Sequence, residues 1–125
     1  QQIESAAVME RMRMIPPGEN HKFVRGTRCE VKGLMSNIYR RLNPLQPAYT
    51  VIAYGGGGTW GYHYERNRGK LTNRERARLQ TFPDWFEFSG NSQDVRAQIG
   101  EAVPPLAGYR IAQAVDTALS AFERL

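Results

Sequence analysis

The sequence predicts an α+β fold in which a small β-hairpin-rich region sits among helices. Three stretches carry that expectation. Tyr49-Thr50-Val51-Ile52-Ala53-Tyr54 is β-branched and aromatic, and it runs through Gly55-Gly56-Gly57-Gly58 into a second strand-like stretch, Thr59–Tyr64. Leu71–Phe88 reads as a short capped helix, a proline stop and an aromatic knot. From Leu106 to Leu125, apolar residues recur at the helical period.

The proportions, 41% hydrophobic and 23% charged over 125 residues, suit one soluble domain. No apolar run approaches the ~20 residues of a membrane helix, and no secretory leader opens the chain. Cys29 is the only cysteine, so no internal disulfide is possible and a reducing compartment is expected. The first residue is Gln rather than Met, which points to a fragment or a trimmed chain.

The net charge of +5 is unevenly spread: residues 1–80 carry +8 and residues 81–125 carry −3. Eleven of the fourteen basic residues in the first part are arginines, suited to bidentate contacts with phosphate or guanine. Charge alone therefore favours a polyanion partner over merely solubilising surface.

Ile3–Ile15 is expected to form a helix, stopped by Pro16-Pro17-Gly18. Its methionines Met9, Met12 and Met14 read as packing residues. Residues 19–32 have no clear period and are expected to be loop. Cys29, between Arg28 and Glu30, lacks any catalytic context and reads as a passive thiol. Arg40 and Arg41, beside Tyr39, form either a phosphate clamp or a solvated charge pair.

Four consecutive glycines are tolerated where a backbone must approach something closely or adopt positive φ. Gly58-Thr59-Trp60 lacks the lysine of a phosphate-binding P-loop, and a strand rather than a helix follows, against a dinucleotide fingerprint. What remains is a hairpin tip flanked by aromatics and followed by Arg66 and Arg68. Such a tip can enter a DNA groove, where bare N–H and C=O groups reach base edges; the alternative is a floppy hairpin. His63 and His21 have no clustered cysteines, so no metal site is expected.

In the second half, Thr72 or Asn73 can cap a helix, with Glu75 at capping-box spacing from Thr72, and Pro83 ends it. Phe82, Trp85, Phe86 and Phe88 crowd together. Ser92 can cap a helix over Gln93–Ile99 that Gly100 ends. Glu101–Pro105 is an extended break. In the last helix Ile111, Val115, Leu119 and Phe122 make one apolar stripe, expected to dock on something outside this chain.

Three of these pieces resemble the C-terminal part of bacterial C5 cytosine-specific DNA methyltransferases. They are Ala48–Thr59, Leu71–Asp84 and Gln98–Pro105, the last two similar to that family's motifs IX and X. The resemblance covers about residues 36–115. With the N-terminal helix taken as 1–18, it implies 19–70 as a target-recognition region with the glycine-rich hairpin, 71–90 as a motif IX-like junction, and 91–125 as a motif X-like segment with the C-terminal helix. The helices would complete a Rossmann-like, S-adenosyl-L-methionine-dependent domain supplied largely by sequence outside this chain.

The resemblance further implies duplex DNA as a partner. Thr50 is expected at a phosphate, and Tyr54 with Gly55, Gly56, Gly57, Gly58 and Thr59 in the major groove. Arg40 and Arg41 are looser candidates. Gly100, Glu101, Ala102 and Val103 match the segment near the amino-acid end of S-adenosyl-L-methionine, with Glu101 where the family usually has Asn. The family's nucleophile is a Cys in a Pro-Cys-Gln context that attacks C6 of a flipped cytosine. Arg28-Cys29-Glu30 does not match it, so no catalytic residue is assigned. The expected role is the recognition and cofactor-pocket portion of a DNA (cytosine-5-)-methyltransferase. It would be inactive alone, partnered by a catalytic half, and set in the cytoplasm of a bacterium or a phage host within a restriction–modification system. The alternatives are a non-catalytic DNA-binding module or a remnant whose exposed helices only mediate association.

Overall fold

The computed structural model describes residues 4–125, so the Ile3 end of the first expected helix lies outside the described residues. Helix α1 spans Ala6–Met14; the Ser5 hydroxyl caps it by accepting the Val8 N–H. The expected loop 19–32 contains one 3₁₀ turn, His21–Val24, capped by Asn20. Met12 and Ile15 at the end of α1 meet Val24, Cys29 and Tyr62 in a small core, with Val8 and Tyr39 packed against it. Of the methionine stripe, Met12 is fully buried whereas Met14 is exposed, and the Cys29 thiol is a core side chain.

The expected hairpin is the main correction to the fold. Among the described residues there is no β-ladder, only isolated bridges of Tyr62 with Arg41 (parallel) and with Lys70 (antiparallel). Gly58–His63 does not pair with Tyr49–Tyr54. Its neighbours are Tyr39–Leu42 on one side, where Tyr39 N–H donates to Gly58 C=O, Tyr62 N–H to Arg40 C=O and Leu42 N–H to Tyr62 C=O. On the other side Leu71 N–H donates to Gly61 C=O at 3.0 Å. The physical reason lies between the two expected strands. The guanidinium of Arg76 donates to both the Ile52 and the Trp60 carbonyls, occupying acceptors that a hairpin ladder would use.

Helix α2, Asn73–Leu79, has the expected capping box: Thr72 Oγ1 accepts the Glu75 N–H, and the Glu75 carboxylate accepts the Thr72 N–H at 2.8 Å. It ends ahead of Pro83, at a turn where Thr81 takes φ of 65°. Arg78 then clasps Asp84 through Nε at 2.7 Å and Nη2 at 2.8 Å. In the knot, the Phe82, Phe86 and Phe88 rings lie with all three centroid separations at 5.0 Å. Trp85 stays largely outside.

Helix α3, Ser92–Glu101, is capped by Asn91 rather than Ser92. The Asn91 side-chain Oδ1 accepts the Gln93 and Asp94 N–H groups, and the Asp94 carboxylate reciprocates by accepting the Asn91 N–H. Gln80, at the end of α2, donates to the Ile99 and Ala102 carbonyls and so fixes α2 to the end of α3. Helix α4, Pro105–Glu123, begins on proline, whose lacking N–H costs nothing in a first turn. It is tied back by Leu106 N–H to the Thr81 hydroxyl at 3.1 Å, yet it has no buried residue. No helix among the described residues is long and apolar enough to cross a membrane.

Candidate nucleic-acid interface

The glycine tip projects from the body. Gly55, Gly56 and Gly57 are exposed, and a Cβ on Gly56 or Gly57 would meet nothing within 4 Å. Gly58 differs: its φ is +90° and a Cβ there would lie 2.7 Å from the Tyr39 ring, so the tip closes on an aromatic that only glycine admits. Thr59 turns inward; it is 9% exposed, and its Oγ1 makes no hydrogen bond among the described residues. Tyr54 stands outside at the base of the tip, 69% exposed, and Thr50 is exposed nearby.

The paired arginines have different environments. Arg40 lies over the Tyr49 ring, with Cζ 3.7 Å from the centroid. Arg41 is completely buried. It donates to the carbonyls of Met12, Ile15, His63 and Glu65, which joins the end of α1 to the segment after the tip. Burial, with Arg66 nearby, lowers its pKa. The expectation of Arg41 as a DNA contact is therefore corrected: every direction its guanidinium points ends on a backbone carbonyl.

The segment expected at the cofactor lies directly behind the tip. Gly100 packs on the backbone of Ile52 and Ala53 so tightly that a Cβ would sit 2.2 Å from the Ala53 nitrogen. The Tyr54 hydroxyl donates to the Glu101 carboxylate, and this bond, with the charge beside it, raises the Tyr54 pKa. Ala102 gives its carbonyl to Gln80, and Val103 is 66% exposed. A groove of about 570 Å³ contains Thr50, Gly100 and Ala102 in its walls. The fold thus joins the expected recognition and cofactor-facing residues, which are far apart in sequence.

Sequence reasoning missed the residues that make this junction. Trp60 is covered by Arg96 of α3, Cζ at 3.9 Å from the ring centroid, and by Arg76 of α2 at 5.1 Å. Burial, then Arg96, lowers the Arg76 pKa to about 10. Neither arginine stood out among so many. The available signal was the place of Arg76 beside the buried Ala77, on the face where α2 should have been apolar. Among the described residues, no group of three or more His, Cys, Asp or Glu side chains is placed to hold a metal.

Comparison with known proteins places this geometry in a class. The C-5 cytosine-specific DNA methylase family matches residues 4–117, and the chain belongs to that family. It is 66% identical over 119 residues to DNA (cytosine-5-)-methyltransferase M.ApeKI of Aeropyrum pernix, a match spanning 94% of this chain and 25% of that protein. It is 52% identical over 122 residues to the type II methyltransferase M.BbvI of Brevibacillus brevis, spanning 94% of this chain and 32% of M.BbvI. The chain thus spans about a quarter to a third of these relatives. The type II methyltransferase M.AquIB of Picosynechococcus differs in this respect. It is 33% identical over 130 residues, spanning 95% of this chain and 86% of M.AquIB. No solved structure matches the chain.

Proposed function

We propose that this chain is the DNA-recognition and cofactor-pocket-completing portion of a DNA (cytosine-5-)-methyltransferase. With a catalytic half it would transfer a methyl group from S-adenosyl-L-methionine to cytosine C5 in duplex DNA, in a restriction–modification setting. The observation that carries this reading is the packing of Ile52–Tyr54, at the base of an exposed glycine tip, on Gly100 and Glu101. Arg40, Thr50, Tyr54 and Gly55–Gly58 are assigned to DNA, Arg40 and Thr50 through phosphates and the tip in the major groove. Thr59 supports the tip from inside, and Arg41 is assigned to the fold.

The cofactor segment fits its group by donor chemistry. Pro104 and Pro105 have no N–H, so the carbonyls of Gly100 and Glu101 have no helical partner four residues on. Free carbonyls at the negative end of α3, with the Glu101 carboxylate, suit an ammonium such as that at the amino-acid end of S-adenosyl-L-methionine. When bound, that cofactor supplies the methyl group. Residues 100–103 would hold and orient its amino-acid end.

The match spans 86% of M.AquIB, so a curated type II methyltransferase of about this extent exists beside the longer relatives. The test mixes this chain with the part of M.ApeKI outside the matched segment and measures methyl transfer to duplex DNA. Transfer well above that of the M.ApeKI part alone is expected. No gain, with both proteins folded, overturns the assignment in favour of a DNA-binding module.

A further inference from the structure

A small cavity lies beneath the tip, between the segment 49–52 and α2, with room of about 40 Å³. Its walls include Asn37, Arg40, Thr59 and Arg76. Each of these four carries a buried polar atom with no hydrogen-bond partner among the described residues: Asn37 Oδ1, Arg40 Nε, Thr59 Oγ1 and Arg76 Nε. Arg76 and Thr59 are themselves more than nine-tenths buried. A native fold rarely leaves one such group unmet, because each then loses its hydration with nothing in return. Four around one space point to a shared ligand.

The charge of the walls selects its class. Two guanidinium groups line the cavity and no Asp or Glu does. Neither arginine forms an ion pair with a described carboxylate. The Tyr49 and Trp60 ring faces soften these charges without neutralising them. Arg76 is buried and Arg40 half-buried, and guanidinium charge so placed without counter-charge calls for an anion. Room of 40 Å³ admits a monatomic ion and excludes a phosphodiester. The Arg40 and Arg76 Nε–H groups and the Thr59 hydroxyl are its donors, and a 180° flip of the Asn37 amide adds a fourth.

We infer that this cavity is a halide site, taking chloride as an internal counter-ion that fastens the recognition tip to α2. The inference stands on the cavity alone and does not require the methyl-transfer reading.

The test uses the full chain in two ways. In thermal unfolding, chloride replaces gluconate at constant sodium and ionic strength. A saturable rise in Tm on the order of 3 °C is expected, against the general tendency of excluded, strongly hydrated anions to stabilise. The rise should vanish in Arg76→Met. Crystals of the unaltered chain grown in bromide then give an anomalous peak within hydrogen-bond distance of Arg40 Nε and Arg76 Nε. The crystal arm keeps the question open to refutation even if Arg76→Met fails to fold. No bromide peak, with water alone between the two arginines, overturns the site, as does a Tm indifferent to chloride.

Discussion

Gly100 and Ala53 approach so closely that no side chain fits between α3 and the backbone at the base of the tip. Alanine is the better helix former by about 1 kcal/mol, so on a free helix Gly100→Ala would stabilise. Here the added Cβ would sit 2.2 Å from a backbone nitrogen that cannot rotate away. Overpacking of this kind costs ~3 kcal/mol or more and wins the contest. Urea unfolding of Gly100→Ala should show a net loss of about 2 kcal/mol. A gain would mean that α3 is not seated on residues 52–53.

Beside that contact, the Tyr54–Glu101 bond makes a titration prediction. Glu101 raises the Tyr54 pKa, so the phenol stays protonated into alkaline solution where free tyrosine has ionised. A group raised in the folded state gives stability that is present below its unfolded pKa and lost as pH rises through its folded pKa. Absorbance titration of the chain minus that of Tyr54→Phe should isolate a phenol ionising above 10, the ordinary tyrosine value. In Glu101→Gln that phenol should return toward the ordinary value. An unchanged difference spectrum removes the link between the tip and the segment behind it.

Arg40 and Arg41 are adjacent, yet their substitutions should report on different properties. Arg41→Met leaves carbonyls of Met12, Ile15, His63 and Glu65 without their donor, and a loss of ~3–5 kcal/mol in unfolding free energy is expected. Arg40→Ala should weaken DNA binding and reduce the slope of log affinity against log salt by about 1, as expected for one phosphate contact. An Arg40→Ala slope equal to the parent's sinks the phosphate assignment.

What the sequence makes legible follows from how local the cause is. The Thr72–Glu75 box, the α3 helix and the α4 stripe depend on residues within a turn or two, and each is found in the structure. The hairpin was misread because Tyr49–Tyr54 has strand composition, while what occupies its edge is decided by Arg76, Gly100 and Trp60 far along the chain. The same is true of Arg41. Nothing local distinguishes an arginine bound to four carbonyls from its half-buried neighbour stacked on Tyr49. The resemblance of three stretches to one enzyme family carried more about function than any single residue pattern did, since the ordered run Leu71–Asp84 is long.

Glu75 offers a pH test of α2. Burial pushes its pKa up, but the Thr72 N–H and hydroxyl together with Arg68 outweigh that and hold it below the ordinary carboxylate value. A depressed pKa gives stability that is present above the unfolded value, 4.5, and lost as pH falls through the folded one. Tm should therefore drop as pH falls below 4.5, and Glu75→Gln should flatten part of that drop while costing about 1 kcal/mol of unfolding free energy at pH 7. Parallel curves for the two proteins would show that the box contributes nothing through charge.

The strongest separation between what folds this chain and what it binds lies on α4. Ile111, Val115, Leu119 and Phe122 share one face, and each is more than half exposed. Burying such side chains is worth about 1.5–3 kcal/mol each, so a stripe of four left in water is a standing drive to associate. Because none of the four is buried, Ile111→Ser with Leu119→Ser should alter the stability of the isolated chain only by helix propensity, within ~0.5 kcal/mol for each site. Under the proposed assignment, the same pair should abolish capture of the catalytic part in a binding titration and the methyl transfer that depends on it. A loss of several kcal/mol in the isolated chain would instead mean that the stripe packs on this chain itself, and the helix would cease to be an interface.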